Sequence, residues 1–286
     1  MNKTENMEHI GEWGAADAAA HIRIPTPQDN KYSHGVLGVV TGSATYPGAA
    51  VLGVEAAHRT GIGMVRFLGE KEPSSLVLAR RPETVTVSGA VDAWLIGSGM
   101  EADPYFNPEL PDLARACLGL QPVIVDAGGL ALLDKVTAPA VITPHEGELE
   151  RLVPQGEDSN EDWAARAADE LGVVVVLKGF ETIIATPEHE SGGRFITRVT
   201  APTTWLATAG TGDVLAGIIA AIIATHSHNR VPHLTELAEY AATGVYLHTQ
   251  AGLRAARQGP FPALEIADQV SRAVQELIAE GSSSQL

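Results

Sequence analysis

The chain has 286 residues, 45% of them hydrophobic, and a formal net charge of −16. That apolar content supports a sizeable core and argues against disorder, while the negative charge argues against a nucleic-acid or anionic-membrane partner, whose phosphates need a basic surface. The lone cysteine, Cys117, excludes an intrachain disulfide, and no basic, apolar leader opens the chain, so the expectation is a soluble cytoplasmic protein.

Residues 1–30 are polar and aperiodic, with Pro25 and Pro27 near their end, and read as an arm laid over the core. Residues 31–286 contain no linker rich enough to divide them and read as one domain. The run 36–41 is β-rich and ends in Gly42-Ser43. A helix follows over 47–61, with Pro47 suited to its first turn and Gly61 to its C′ position. Further short β-branched runs lie at 65–69, 92–96, 122–125, 140–142 and 173–177. Most of them end in polar or glycine residues, and helical stretches such as 108–118 and 161–171 lie between them. Continuous apolar strands alternating with helices predict a mainly parallel sheet covered on both faces, with ligands beyond the carboxyl ends of its strands. Residues 181–186 and 194–199 predict an antiparallel hairpin, and helices are expected over 235–256 and 262–280, with a frayed end at 281–285.

The chemistry gathers in Thr208-Ala209-Gly210-Thr211-Gly212-Asp213, which opens the apolar run 214–224. That run is too short for a bilayer, which needs ~20 residues, and predicts a helix buried on most sides. The first turn of such a helix offers free N–H groups and a positive dipole end, a ready anion site beside bare glycine backbone. Asp213 stands at that mouth, either as an N-cap or as a working carboxylate. Lys178-Gly179, with Thr182 nearby, can hold phosphate, or Lys178 is a salt-bridged lysine beside a turn. His145 caps a helix or touches a ligand, and Asp126 caps a loop or organises magnesium and water. His226 and His228 read as a solvated polar loop, and Cys117 as a packed core thiol. The chain has no Gly-Lys pair, so a Walker A loop is excluded. Gly61-Ile62-Gly63 stands between helix and strand in the wrong order for a dinucleotide fingerprint.

Ala209-Gly210-Thr211-Gly212-Asp213 resembles the anion-hole motif of the ribokinase-like superfamily. Four further features, in order along residues 31–255, are similar to those of ADP-dependent NAD(P)H-hydrate dehydratases: Thr41-Gly42-Ser43 leading to Pro47-Gly48-Ala49-Ala50, Gly97-Ser98-Gly99, Thr143-Pro144-His145-Glu146-Gly147-Glu148, and Lys178-Gly179 with Thr182. The resemblance implies a three-layer α/β/α sandwich of the ribokinase-like type. It implies a lyase that phosphorylates the C6 hydroxyl of the S form of hydrated NADH or NADPH with ADP, then eliminates phosphate. Asp213 would be the general base. Ala49, Gly99, His145 and Asp213 would meet the hydrated nucleotide, and Lys178, Gly179, Phe180, Glu181, Thr182 and Gly212 the AMP part of ADP. The N–H groups of Ala209, Gly210, Thr211 and Gly212 would form the anion hole, with Mg2+ held mostly through water. The resemblance also implies a homotetramer working beside a separate epimerase. A ribokinase-like kinase of a small vitamin precursor is the rival reading.

Overall fold

The apolar runs form strands and the alanine-rich stretches between them form helices. A computed structural model describes residues 10–101, 111–190, 192–257 and 259–283. The order is β1 (Gly11–Glu12), α1 (Ala15–Ala20), β2 (Val36–Val40), α2 (Pro47–Thr60), β3 (Met64–Phe67), α3 (Lys71–Arg80), β4 (Ala93–Ile96), α4 (Pro111–Leu118), β5 (Val123–Val125) and β6 (Ala140–Ile142). There follow α5 (Glu146–Leu152), α6 (Asn160–Leu171), β7 (Val174–Leu177), β8 (Glu181–Ala185), β9 (Ile196–Thr200), α7 (Thr211–His226), α8 (Leu234–Ala256) and α9 (Ala263–Ser283). Short 3-10 segments at Ala127–Lys135 and Thr204–Leu206 join neighbouring elements.

Among the described residues the strands form one nine-stranded sheet in the order β1-β9-β8-β7-β6-β5-β4-β2-β3. All pairs are parallel except β7–β8 and β8–β9, which are antiparallel, so the expected hairpin is there. Successive side chains leave opposite faces of a strand. Leu37, Val39 and Leu95 therefore enter one core with α2, α7, α8 and α9, while Val36, Val40, Trp94 and Ile96 enter a second with α4, α5 and α6. The result is three layers, helices on both faces of the sheet. Cys117 packs in the second core, where burial pushes its thiol up to about 11.

Several expectations are corrected. Within the expected arm 1–30, the described residues carry two elements that the sequence reading did not give. Gly11 and Glu12 pair with Thr197 and Arg198 as an added edge strand, and α1 packs against α8 and α9. A two-residue strand has no period to read. His226 is not in a solvated loop but ends α7, its ring stacked on Tyr240 at 4.4 Å between centroids. His228 turns to Asp92, 3.2 Å away. The expected helix over 108–118 is there over its described part, Pro111–Leu118; residues 108–110, like 191 of the hairpin turn and 284–285 of the tail, lie outside the described residues. Among the described residues no helix is long and apolar enough to cross a membrane.

Helices α2 and α7 pack closely, and glycine makes it so. A Cβ added at Gly217 would stand 2.2 Å from the Gly53 carbonyl oxygen. Gly217→Ala should therefore force the helices apart and cost about 2 kcal/mol, read as a lowered midpoint in urea denaturation. Gly48→Ala on the same α2, where an added Cβ meets nothing within 4 Å, is the control and should be neutral or mildly stabilising. Glu55 locks α2 from its other side. It has no exposed surface, and Arg59, Arg80 and Arg81 all reach it. Burial alone would raise its carboxyl, but the three guanidiniums hold it down at about 2. Arg59 and Arg80 also bind Asp268, which ties α2 and α3 to α9.

Candidate active site

The site forms where strand ends meet the start of α7. Gly210 takes a left-handed φ of 90° that a side chain would resist, and it stands at the N-cap. Asp213 is therefore not the cap; it sits in the first turn of α7. Its carboxylate has two neighbours of opposite effect. Burial first, and then the charge of Asp126, push its pKa up to about 7, against the pull of Lys178. A carboxyl poised there is half-ionised near neutrality and suited to taking a proton.

Lys178 is the hub. It follows β7, and its backbone N–H donates to the Pro144 carbonyl at 2.8 Å, which ties it to the strand end before His145. Its Nζ lies 3.1 Å from Asp126 and 3.7 Å from Glu148. It also lies over bare backbone, 3.5 Å from where a Cβ of Gly212 would be. Burial would lower its pKa, but Asp126, Glu148 and Asp213 together hold it above its ordinary value. The ammonium is thus firmly charged beside the anion-binding turn. Of the two readings of Lys178, a plain surface salt bridge is set aside, because only a fifth of its side chain is exposed. Asp126 in turn is buried and accepts from Ser98 and Thr143, both at 2.7 Å. It fixes the lysine, and its side chain makes no cap bond to the 3-10 segment that follows it.

His145 is the N-cap of α5. Its Nδ1 accepts from the Glu148 N–H at 3.3 Å, and the Glu148 carboxylate accepts from the His145 N–H at 2.8 Å. The ring is more than half exposed and also lines a cleft, so the cap and ligand-contact readings coexist. That cleft, of about 750 Å³, runs from His145 and Lys178 past Gly179, Phe180 and Thr182 to the turn 209–212. Leu206, Leu215 and Val245 give it an apolar wall. The Thr182 hydroxyl is turned inward on the turn, donating to the Gly179 carbonyl at 3.2 Å. Glu181 is not a lining residue; it points across the hairpin toward Arg198, 3.9 Å away.

Ala49 and Gly99 lie apart from that cleft, at the sheet's topological switch point. There β2 has β3 on one side and β4 on the other, and the chain leaves in two directions. The Gly42 N–H donates to the Ser98 carbonyl at 2.7 Å, which closes the two strand ends together. An added Cβ at Gly99 would stand 2.4 Å from the Ala49 Cβ, so α2 can approach this loop only over glycine. The first turn of α7 stands beside the cleft and also packs on α2. The Asp213 carbonyl is 3.4 Å from where a Cβ of Gly53 would be, on the helix that carries Ala49. The arrangement is one cleft that ends at the glycine-rich turn, with the Lys178 ammonium on its wall and the Asp213 carboxyl in the helix turn that follows.

Residues 37–273 match the family described as NAD(P)H-hydrate dehydratase. The chain belongs to that family. It is 42% identical over 225 residues to the bifunctional NAD(P)H-hydrate repair enzyme Nnr of Mycobacterium tuberculosis, covering 74% of this chain and 45% of that protein. The chain thus spans about half the length of the bifunctional relatives it matches. To the ADP-dependent (S)-NAD(P)H-hydrate dehydratase of Lactococcus lactis it is 33% identical over 242 residues, covering 77% and 81% of the two chains. Its fold superposes on the ADP/ATP-dependent NAD(P)H-hydrate dehydratase of Bacillus subtilis, co-crystallised with ATP/Mg2+, at a TM-score of 0.79 and 25% identity, covering 94% of this chain and 99% of that one. The ribokinase-like architecture expected from Ala209–Asp213 is the one found.

In this member of the dehydratase family, sequence reasoning singled out Asp213, Lys178 and His145 but gave Glu148 and Asp126 smaller parts. Glu148 reads locally as a capping glutamate, since its spacing from His145 already explains it. Only the fold brings it to Lys178. His248, on α8, was missed altogether, because it sits among apolar positions of a long helix and nothing in its window marks it.

Proposed function

We propose that this chain is an ADP-dependent NAD(P)H-hydrate dehydratase, a metabolite-repair lyase acting on the S form of hydrated NADH or NADPH. The observation that carries the reading is the grouping of Asp213, raised to about 7 by burial and Asp126, with the charged Lys178 at the glycine-bared start of α7, where the cleft ends. The cleft from Lys178 to Gly212 takes ADP, and the switch-point loops of Ala49 and Gly99, with His145, meet the hydrated nicotinamide nucleotide. Asp213 removes the proton from the C6 hydroxyl as that oxygen bonds to the terminal phosphorus of ADP; the bond from that phosphorus to the oxygen retained by AMP breaks. The N–H groups of Ala209 to Gly212 and the helix dipole stabilise charge on the phosphoryl group in flight. The C6–O bond then breaks with loss of phosphate. A proton leaves the adjacent ring carbon, and the double bond is restored. The sum is loss of one water from the ring and conversion of ADP to AMP and phosphate.

Magnesium fits only as a partner of the nucleotide's phosphates. Among the described residues no three His, Cys, Asp or Glu side chains gather to hold it, and no step above uses it. An acidic chain with one cysteine suits the cytoplasm. The test is direct. Purified protein with heat-hydrated NADH should regain reduced-nicotinamide absorbance when ADP is added and not without it. Failure to regain it, together with ATP-dependent phosphorylation of a vitamin precursor, would establish the kinase reading instead.

A further inference from the structure

Two buried hydroxyls have no part in the reaction above. Asp126 directly follows β5, Thr143 follows β6 and Lys178 follows β7, while Ser98 stands two residues past β4. These strands are neighbours, so the four residues form one row across the carboxyl ends of the sheet. The backbone ladder runs on past the strand ends to hold them. The Asp126 N–H donates to the Ile96 carbonyl at 3.0 Å, and the Thr143 N–H to the Val125 carbonyl at 3.2 Å. The side chains then meet. Ser98 donates to Oδ2 of Asp126 and Thr143 to Oδ1, both at 2.7 Å, and the Lys178 Nζ shares Oδ1 at 3.1 Å. A hydroxyl has one proton to give, and each of these gives it to Asp126. Ser98 and Thr143 are each 1% exposed, so they act on a ligand only through their neighbours. The last torsion of an aspartate is broad and leaves its oxygens free to turn. With a donor fixed on each oxygen the carboxylate has one setting, and Oδ1 is held toward the lysine.

We propose that Ser98 and Thr143 are positioning residues of the phosphoryl transfer: by fixing both oxygens of Asp126 they fix where the Lys178 ammonium stands, and so how well it meets the phosphates of ADP. The proposal rests on the ADP reading above. Nζ carries three N–H bonds. One goes to Asp126, and the lysine also lines the cleft, which leaves N–H groups for an anion there. A lysine is a point charge on a flexible stem, so its aim comes from its partners and not from its own shape. A misplacement of about 1 Å in such a group can cost on the order of 10²-fold in rate.

Calorimetric titration with ADP and steady-state kinetics on the full chain test it. Thr143→Val keeps the size of the side chain and removes the donor. It should weaken ADP binding and lower turnover, each roughly 10-fold, while the KM for the hydrated nucleotide stays within about threefold. Ser98→Ala should lose similar factors. Thr143→Ser, which keeps the hydroxyl, should stay within about threefold of the unaltered chain. The deciding comparison adds Thr143→Val to Lys178→Met. There it should weaken ADP no further, because the group it positions is gone. A hydroxyl that only supports the fold would lose the same factor with and without the lysine, and that result overturns the proposal. So does wild-type affinity and turnover in either the valine or the alanine variant, or a serine variant as weak as the valine one, which marks packing. Thermal melting checks that each variant is folded. If Lys178→Met does not fold, the split between ADP and hydrated nucleotide in Thr143→Val decides, and an equal loss for both counts against positioning. If the unaltered chain does not bind ADP, the ADP reading fails; if it does and the variants match it, only the role of the two hydroxyls falls.

Discussion

Replacing Asp213 by asparagine should lower turnover of the hydrated nucleotide by on the order of 10²-fold or more while leaving ADP binding nearly intact. Asparagine keeps the size of the side chain but cannot take the hydroxyl proton. Steady-state kinetics beside an ADP titration separates the two effects, and near wild-type turnover would remove Asp213 from the base role. The pH profile follows from the same environment. Only the ionised carboxyl is a base, so turnover should rise with pH through about 7, where burial and Asp126 place its titration. Stability should run the other way. A carboxyl raised from 3.8 to about 7 in the fold binds its proton more tightly folded than unfolded, so stability is lost as pH rises across that interval. The asparagine variant carries no such charge and should melt higher than the unaltered chain at pH 8. A catalytic group that costs stability where it works is a common trade in active sites.

Lys178→Met should be the most damaging change to both stability and binding. The ammonium compensates the buried Asp126 at 3.1 Å and the half-buried Glu148 at 3.7 Å. Removing one partner of such a buried pair leaves the other charged and unpaired, at a cost of about 3 kcal/mol, read by urea denaturation. Loss of a charge-assisted contact should weaken ADP roughly 30-fold. The residual activity carries a further signature. Lys178 lowers the Asp213 pKa, so without it the midpoint of the pH profile should move upward. Asp126→Asn removes a neighbour that raises it and should move the midpoint down. Opposite shifts from the two substitutions would show that all three groups share one field; a midpoint fixed in both would separate Asp213 from them.

The architecture was legible because its signals are local. Runs such as 173–177 are β-branched throughout and too short for helices, and a sheet covered on both faces is where such strands persist. The helix after Asp213 and the turn before it could be read from glycine placement and apolar length alone. The site was legible as a set of parts and not as an assembly. Lys178 and Asp126 stand 52 residues apart, and no window contains both. The pairing that turns a plausible surface lysine into the hub of the site exists only after β5 and β7 take their places around β6. Asp213 could be taken for an N-cap because a glycine cap three residues earlier, at Gly210, leaves the same sequence pattern. The strand at Gly11–Glu12 borrows its whole conformation from β9, so its own residues carry no trace of it.

That borrowed strand bears on how the polypeptide matures. The Thr197 hydroxyl meets the Gly11 carbonyl across 186 residues, among the longest separations in the molecule. Contacts so distant along a chain form late, since the loop between them must close first. On the ribosome Gly11 and Glu12 cannot find this partner until nearly two hundred further residues have been made. Their arrival then covers the outer margin of β9, which until that moment offers unpaired amides to any passing polypeptide. Until that pairing closes, the margin of the nascent molecule is open to mispairing.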